Sequence, residues 1–139
     1  MIIDAENTVM GRVAATAAKK ALEGETVDII NSEKAIITGK RSEVVERFRH
    51  QRNRGGPLHG PYIPRTPHML LKRVIRGMLP YKKARGMEAW KRIKCHIGVP
   101  ENLKTGKTET LKNAGIEKLQ TAKYITLNQL TKELGVKQR

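Results

Sequence analysis

The sequence contains a single cysteine, Cys95, one tryptophan and one phenylalanine, and its 28 basic residues outnumber its 13 acidic ones more than twofold. Each shortage excludes something. One thiol cannot build an internal disulfide framework or a multi-cysteine zinc site, so a reducing, cytoplasmic setting is the default expectation. No apolar run approaches the roughly 20 residues that span a bilayer. The opening Met1-Ile2-Ile3-Asp4 has neither a basic n-region nor an apolar h-region, so no signal peptide is visible. The aromatics (Phe48, Tyr62, Tyr81, Trp90 and Tyr124) form no stripe, which removes the anchor a basic amphipathic helix needs on a membrane surface. A membrane is therefore not an expected partner.

What is present is positive charge. The 139 residues, the length of one ordinary domain, carry a formal net charge of +15 and a pI near 10.3. Such a chain repels itself and attracts polyanions, of which nucleic acid is the commonest. The excess is concentrated. Residues 1–39 hold four basic and six acidic side chains, residues 40–94 sixteen and three, and residues 95–139 eight and four. A solvated face normally mixes both signs, and the middle segment, at net +13, does not.

The apolar pattern predicts an α/β domain. Met1–Asp4 and Thr26–Ile30 are short β-rich runs on either side of a helical pattern that starts after Thr8, with Val9, Met10, Val13, Ala14, Ala17, Ala18, Ala21 and Leu22 at helical spacing. Asn7 or Thr8 is its expected cap and Gly24 its stop. Strand, helix and strand in about thirty residues make a βαβ unit with a right-handed crossover. A third run, Ala35–Thr38, has a connection too short to decide its direction. A helix is predicted from Ser42 to about Arg52, with Val44, Val45 and Phe48 inward and Arg47, His50 and Arg54 in an outward stripe. Seven of the fifteen residues from Asn53 to Pro67 are Gly or Pro, so that stretch reads as a loop, expected to be mobile alone and ordered on RNA. Thr66-Pro67 opens the next helix, with Leu70, Leu71, Val74, Ile75 and Met78 inward and Pro80 as its stop. A short helix near Arg85–Lys91 and a strand over Ile93–Ile97 follow. Past Pro100 the pattern weakens until Thr126 and Gln129, which form a capping box. The chain thus reads as one domain over 1–139, with a basic helix–loop–helix insertion near 40–94 and a polar extension near 101–139.

Catalytic and cofactor signatures are scarce. No G-x-G-x-x-G follows the first strand and no phosphate-loop motif occurs. The stretch Gly55–Gly60 follows a helix and contains proline, so it suits an extended loop better than a phosphate cradle. His50, His59, His68 and His96 lie at no ligand spacing, so no metal is expected. Cys95 and His96 are adjacent and would point to opposite faces of a strand, which makes Cys95 a buried structural thiol. Asp28, inside an apolar strand, is expected to cap or bind a loop near the strand end. Cations beside Gly/Pro loops suit a phosphate backbone. Without a helix-turn-helix or zinc-finger pattern, RNA fits better than DNA.

The segments Ile3-Asp4-Ala5, Met10-Gly11-Arg12-Val13-Ala14, Val27–Glu33, Ile37-Thr38-Gly39-Lys40 and Arg76-Gly77-Met78-Leu79-Pro80 resemble, in order, the L-thirteen family of large-subunit ribosomal proteins. Gly98-Val99-Pro100 resembles the family's ending to its last strand, and the absence of a histidine-rich stretch there favours the archaeal or eukaryotic form. The resemblance covers roughly residues 1–100. It implies a three-layer α/β/α fold with a central, mainly parallel four-stranded sheet, and a structural role: binding large-subunit ribosomal RNA beside neighbouring ribosomal proteins, with no cofactor and no small-molecule substrate. By position, the expected RNA-binding residues are Arg12, Lys40, Arg41, Arg47, Arg49, His50, Arg52, Arg54, Arg65, Lys72, Arg73, Arg76, Lys82, Lys83 and Arg85. The alternative is an RNA-modifying enzyme that uses the α/β sheet for a cofactor, which would need a carboxylate or glycine fingerprint at a strand end.

Overall fold

The computed structural model describes residues 1–111 and 113–135. Residues 112 and 136–139, part of the expected polar extension, lie outside the described residues. Strand β1 (Ile2–Asp4) leads into helix α1 (Met10–Leu22), which returns the chain to β2 (Val27–Ile30), the anticipated βαβ unit. Next come β3 (Ile36–Thr38), α2 (Arg41–Asn53), α3 (Pro67–Met78), α4 (Ala84–Lys91) and β4 (Ile93–Cys95). The chain finishes with β5 (Thr108–Thr110), β6 (Tyr124–Thr126) and α5 (Leu127–Glu133).

The central sheet has the order β4-β2-β1-β5, and every pairing in it is parallel. With helices packed about it, this is the three-layer α/β/α fold with a central four-stranded sheet. The pattern misplaced one strand. β3 does not join that sheet but pairs antiparallel with β6, with Ile37 opposite Ile125. The fourth strand of the central sheet is instead β5, which pairs with β1 and whose Thr-Glu-Thr sequence is exposed throughout. An edge strand of that kind is held by main-chain bonds and leaves no apolar alternation to read.

The start of α1 also departs from the expected cap. Val9, not Asn7 or Thr8, occupies the N-cap, and the helix begins at Met10. The Thr8 hydroxyl is buried and donates to the Ala5 carbonyl at 2.8 Å. Thr8 also accepts at its own carbonyl from Ile36 N–H at 2.9 Å. These bonds tie the β1–α1 turn to β3, leaving the hydroxyl no freedom to cap. Asn7, at φ 53°, makes the left-handed turn between them.

The core joins these parts. Val13, Ala14, Ala17, Ala18 and Ala21 of α1 are buried, and their small side chains let α1 lie close against α3 and α4. Leu70, Leu71 and Ile75 of α3 meet Ile3, Ile29 and Ile93 of the sheet in one cluster. Leu127, Leu130 and Leu134 join the same cluster, so α5 is anchored by apolar burial as well as by the Thr126/Gln129 capping box that forms as read. Gly86 sets the turn between α3 and α4: a Cβ there would sit 2.2 Å from the Pro80 carbonyl oxygen.

Candidate RNA interface

Helix α2 is the axis of the candidate interface. Its apolar residues Val44, Val45 and Phe48 face the core, so 3.6-residue periodicity sends its many basic side chains outward in two directions.

One set turns toward α5. The Arg41 guanidinium ion-pairs with the Glu133 carboxylate. Arg49 donates to the Glu133 carbonyl at 3.3 Å and lies 3.8 Å from its carboxylate. Arg52, half-buried, donates to the Leu134 carbonyl. The last carbonyls of a helix have no partner within it, and its C-terminal end carries partial negative charge. Arg49 and Arg52 therefore satisfy carbonyls at the end of α5, and Arg41 pairs with the carboxylate beside them.

The other set turns toward α3. Arg47, whose guanidinium lies 5.5 Å from the Phe48 ring centroid, and Arg54, just past the helix end, face Arg73 across a groove between α2 and α3. The groove encloses about 520 Å³, and none of its lining residues is acidic. Among the described residues, Arg54, Arg73, Arg65, His50, Lys82, Lys83 and Arg85 have no side-chain ion pair or hydrogen bond.

The remaining expected residues scatter. Arg12 leaves the first turn of α1 and donates to the Asn113 carbonyl, away from α2. Lys40 pairs with Glu43 at 3.2 Å. Lys72 lies 4.8 Å over the Trp90 ring, and Arg76 4.8 Å over the Tyr81 ring, so two of the three α3 cations rest on aromatic faces. Sequence reading passed over Gln51 and the apolar floor of the groove. Phe48 and Val74 were read only as inward residues of separate helices, and no periodicity shows that two helices will leave a gap between them.

The loop from Asn53 to Pro67 is lightly held. Among the described residues, 56–65 make no hydrogen bond to the rest of the protein. Leu58 and Tyr62 are 87% and 65% exposed, and only Ile63 packs against the core.

The strand ends behave differently. Asp28 holds the segment that follows a neighbouring strand: its carboxylate meets His96 Nε2, just past the end of β4, at 3.0 Å. Parallel pairing of Asp28 with Lys94 brings the residue just beyond β4 within reach. The Cys95 thiol packs against the core, and burial pushes its pKa up to about 12, against a smaller downward pull from Lys72. The thiol, expected to be buried, is only partly so. Burial lowers the His68 pKa, with a further contribution from His96. Among the described residues, no group of three His, Cys, Asp or Glu is placed to hold a metal, and no helix is long and apolar enough to cross a membrane.

Comparison with known proteins agrees with the resemblance. The family model "Ribosomal protein L13" matches residues 1–102. "Large ribosomal subunit protein uL13" of Methanosarcina barkeri is 44% identical over 137 residues, covering 98% of both chains. The protein of that name from Methanopyrus kandleri is 44% identical over 136 residues, covering 96% of this chain and 86% of its own. That of Haloarcula marismortui is 38% identical over 135 residues, covering 97% and 90%. The likeness thus continues past residue 102 into the segment where the sequence pattern fades. The alternative of an RNA-modifying enzyme is not supported, since these relatives bear the name of a ribosomal protein. With a family model spanning most of its length and full-length relatives at this identity, the chain belongs to the ribosomal protein L13 family.

Proposed function

We propose that this protein is a structural component of the large ribosomal subunit, is not an enzyme, and works by binding ribosomal RNA and supporting assembly of that subunit. The observation that carries this reading is the full-length kinship with archaeal large-subunit proteins. The geometry supplies the means. Arg47, Arg54 and Arg73 line one groove with no acidic residue, and Arg65, Lys82, Lys83 and Arg85 make no side-chain ion pair or hydrogen bond among the described residues, so these cations are open to phosphate. RNA neutralises charges that repel one another in the free protein, so binding and fold stability reinforce each other. The partners are large-subunit RNA and adjoining ribosomal proteins, and the place of action is the cytoplasm, where ribosomes assemble.

Sedimentation of the tagged protein from a cell lysate tests this. It should travel with the large subunit and its precursors at moderate salt. Migration at the top of the gradient, with none in the subunit fractions, would reject the reading.

A further inference from the structure

The groove between α2 and α3 joins cations to a concave apolar floor with no acidic residue in its lining. A face that only tracks phosphates needs cations and no concavity. This one has an apolar floor, to which Phe48, Leu70, Val74 and Ile63 contribute, beneath a rim carrying Arg47, Arg54 and Arg73. Its volume of about 520 Å³ falls in the range of roughly 300–1,000 Å³ in which small organic groups are bound. The floor is protein core: Leu70 is 1% exposed and Phe48 8%. Val74 and Ile63 are partly exposed at its edge. Gln51, also on the wall, is exposed and brings both a donor and an acceptor, the groups needed to meet a base edge.

Resting on the proposed role in ribosomal RNA binding, we infer that this groove takes one unpaired, splayed-out nucleotide of the RNA. Its base enters against the apolar floor, and its flanking phosphates sit on Arg47, Arg54 and Arg73. Three features favour an RNA nucleotide over an acidic peptide. The Arg47 guanidinium is already held over the Phe48 ring, presenting a flat cationic face of the kind on which bases stack. The partly exposed Val74 and Ile63 leave apolar surface at the groove's edge that a flat base can cover. The loop that closes one side through Pro61 and Ile63 makes no hydrogen bonds over 56–65 among the described residues, so it can open to admit a base and close on it.

The test uses RNA hairpins that are identical except for one unpaired nucleotide, with each of the four bases in turn, against a fully paired hairpin. Filter binding with the full-length protein should show at least one bulged hairpin bound about fivefold or more tighter than the paired one. Val74→Phe, which fills the floor, should remove that preference while leaving the paired affinity and its salt dependence unchanged. Arg73→Gln should weaken both hairpins and reduce the salt slope by about one unit. In case Val74→Phe does not fold, wild-type protein is photocrosslinked to a hairpin with 4-thiouridine at the bulge, and the adduct should map to the peptides containing Phe48, Ile63 or Val74. Equal affinity for paired and bulged hairpins with all four bases, or adducts confined to other peptides, would overturn the inference. Such a result would leave co-sedimentation with the large subunit unaffected, so the two readings fail separately.

Discussion

On one side of α2, Arg41, Arg49 and Arg52 end on the carboxylate and the terminal carbonyls of α5. On the other, Arg47 and Arg54 meet Arg73 across a groove with no acidic residue in its lining. The residue type is the same and the positions interleave along one helix. What separates the two sets is the supply of acceptors. α5 offers an open helix end with Glu133 beside it, whereas the facing stretch of α3 offers Lys72, Arg73 and Arg76 and no carboxylate. A guanidinium with protein acceptors is part of the fold; one without them is available to a ligand. The count of basic residues in 40–94 therefore overstates the number free to meet phosphate.

The largest effect comes from removing what holds α5 in place. Leu130 is fully buried, and Leu130→Ala should destabilise the protein by about 2–5 kcal/mol, the usual range for such a cavity, read by thermal or urea unfolding. If the α5-facing arginines are structural, they should lose their acceptors in this variant, and tryptic cleavage after Arg49 and Arg52 should accelerate relative to sites within α1.

Arg52→Gln should cost about 1 kcal/mol, because Arg52 is half-buried and its partner carbonyl would lose a charged donor. Arg54→Gln, two residues on, should leave the melting temperature unchanged or slightly raised. Equal losses from both would erase the distinction between the two sets.

A smaller effect is expected of Glu133→Gln. The pairs it makes with Arg41 and Arg49 are largely exposed, and such pairs contribute about 0–1 kcal/mol. The variant should melt close to the wild type, and its RNA affinity should rise modestly as two guanidiniums lose their carboxylate.

The smallest effects come from single half-buried groups. The pKa of His68 is lowered on folding, so the unfolded chain takes up the proton first. Stability should fall as pH drops below about 6.5, the ordinary histidine value, and His68→Gln should flatten that part of the profile. Cys95, with its thiol at about 12, should resist iodoacetamide at pH 8 in the native protein and react once unfolded.

How much of this was readable depends on how each element is held. α1 and α3 carry apolar stripes at helical spacing, and both helices form there, although Met78 at the end of α3, expected inward, is 44% exposed. β5 and β6 do not announce themselves. The first is exposed at all three residues, and the second buries only Ile125, because both are held by pairing with strands far away in the chain. The departure of β3 from the central sheet has the same origin: its partner β6 lies about ninety residues downstream. Within the interface, the concentration of charge was legible from composition alone. Its division was not, since Glu133 and Arg41 are separated by 92 positions and only the fold brings them together. The Asp28–His96 contact was hidden likewise, as a register between two parallel strands.

The most direct measurement compares two triple variants, Arg47→Gln/Arg54→Gln/Arg73→Gln and Arg41→Gln/Arg49→Gln/Arg52→Gln, by the salt dependence of their binding to large-subunit RNA. Each phosphate neutralised contributes about 0.7–0.9 to the slope of log affinity against log salt. The groove-side variant should lose about 2–3 units of slope with its melting temperature intact. The α5-side variant should keep its slope within about one unit and melt several degrees lower. Equal loss of slope in the two, or a full slope retained by the groove-side variant, would contradict the division of labour along α2.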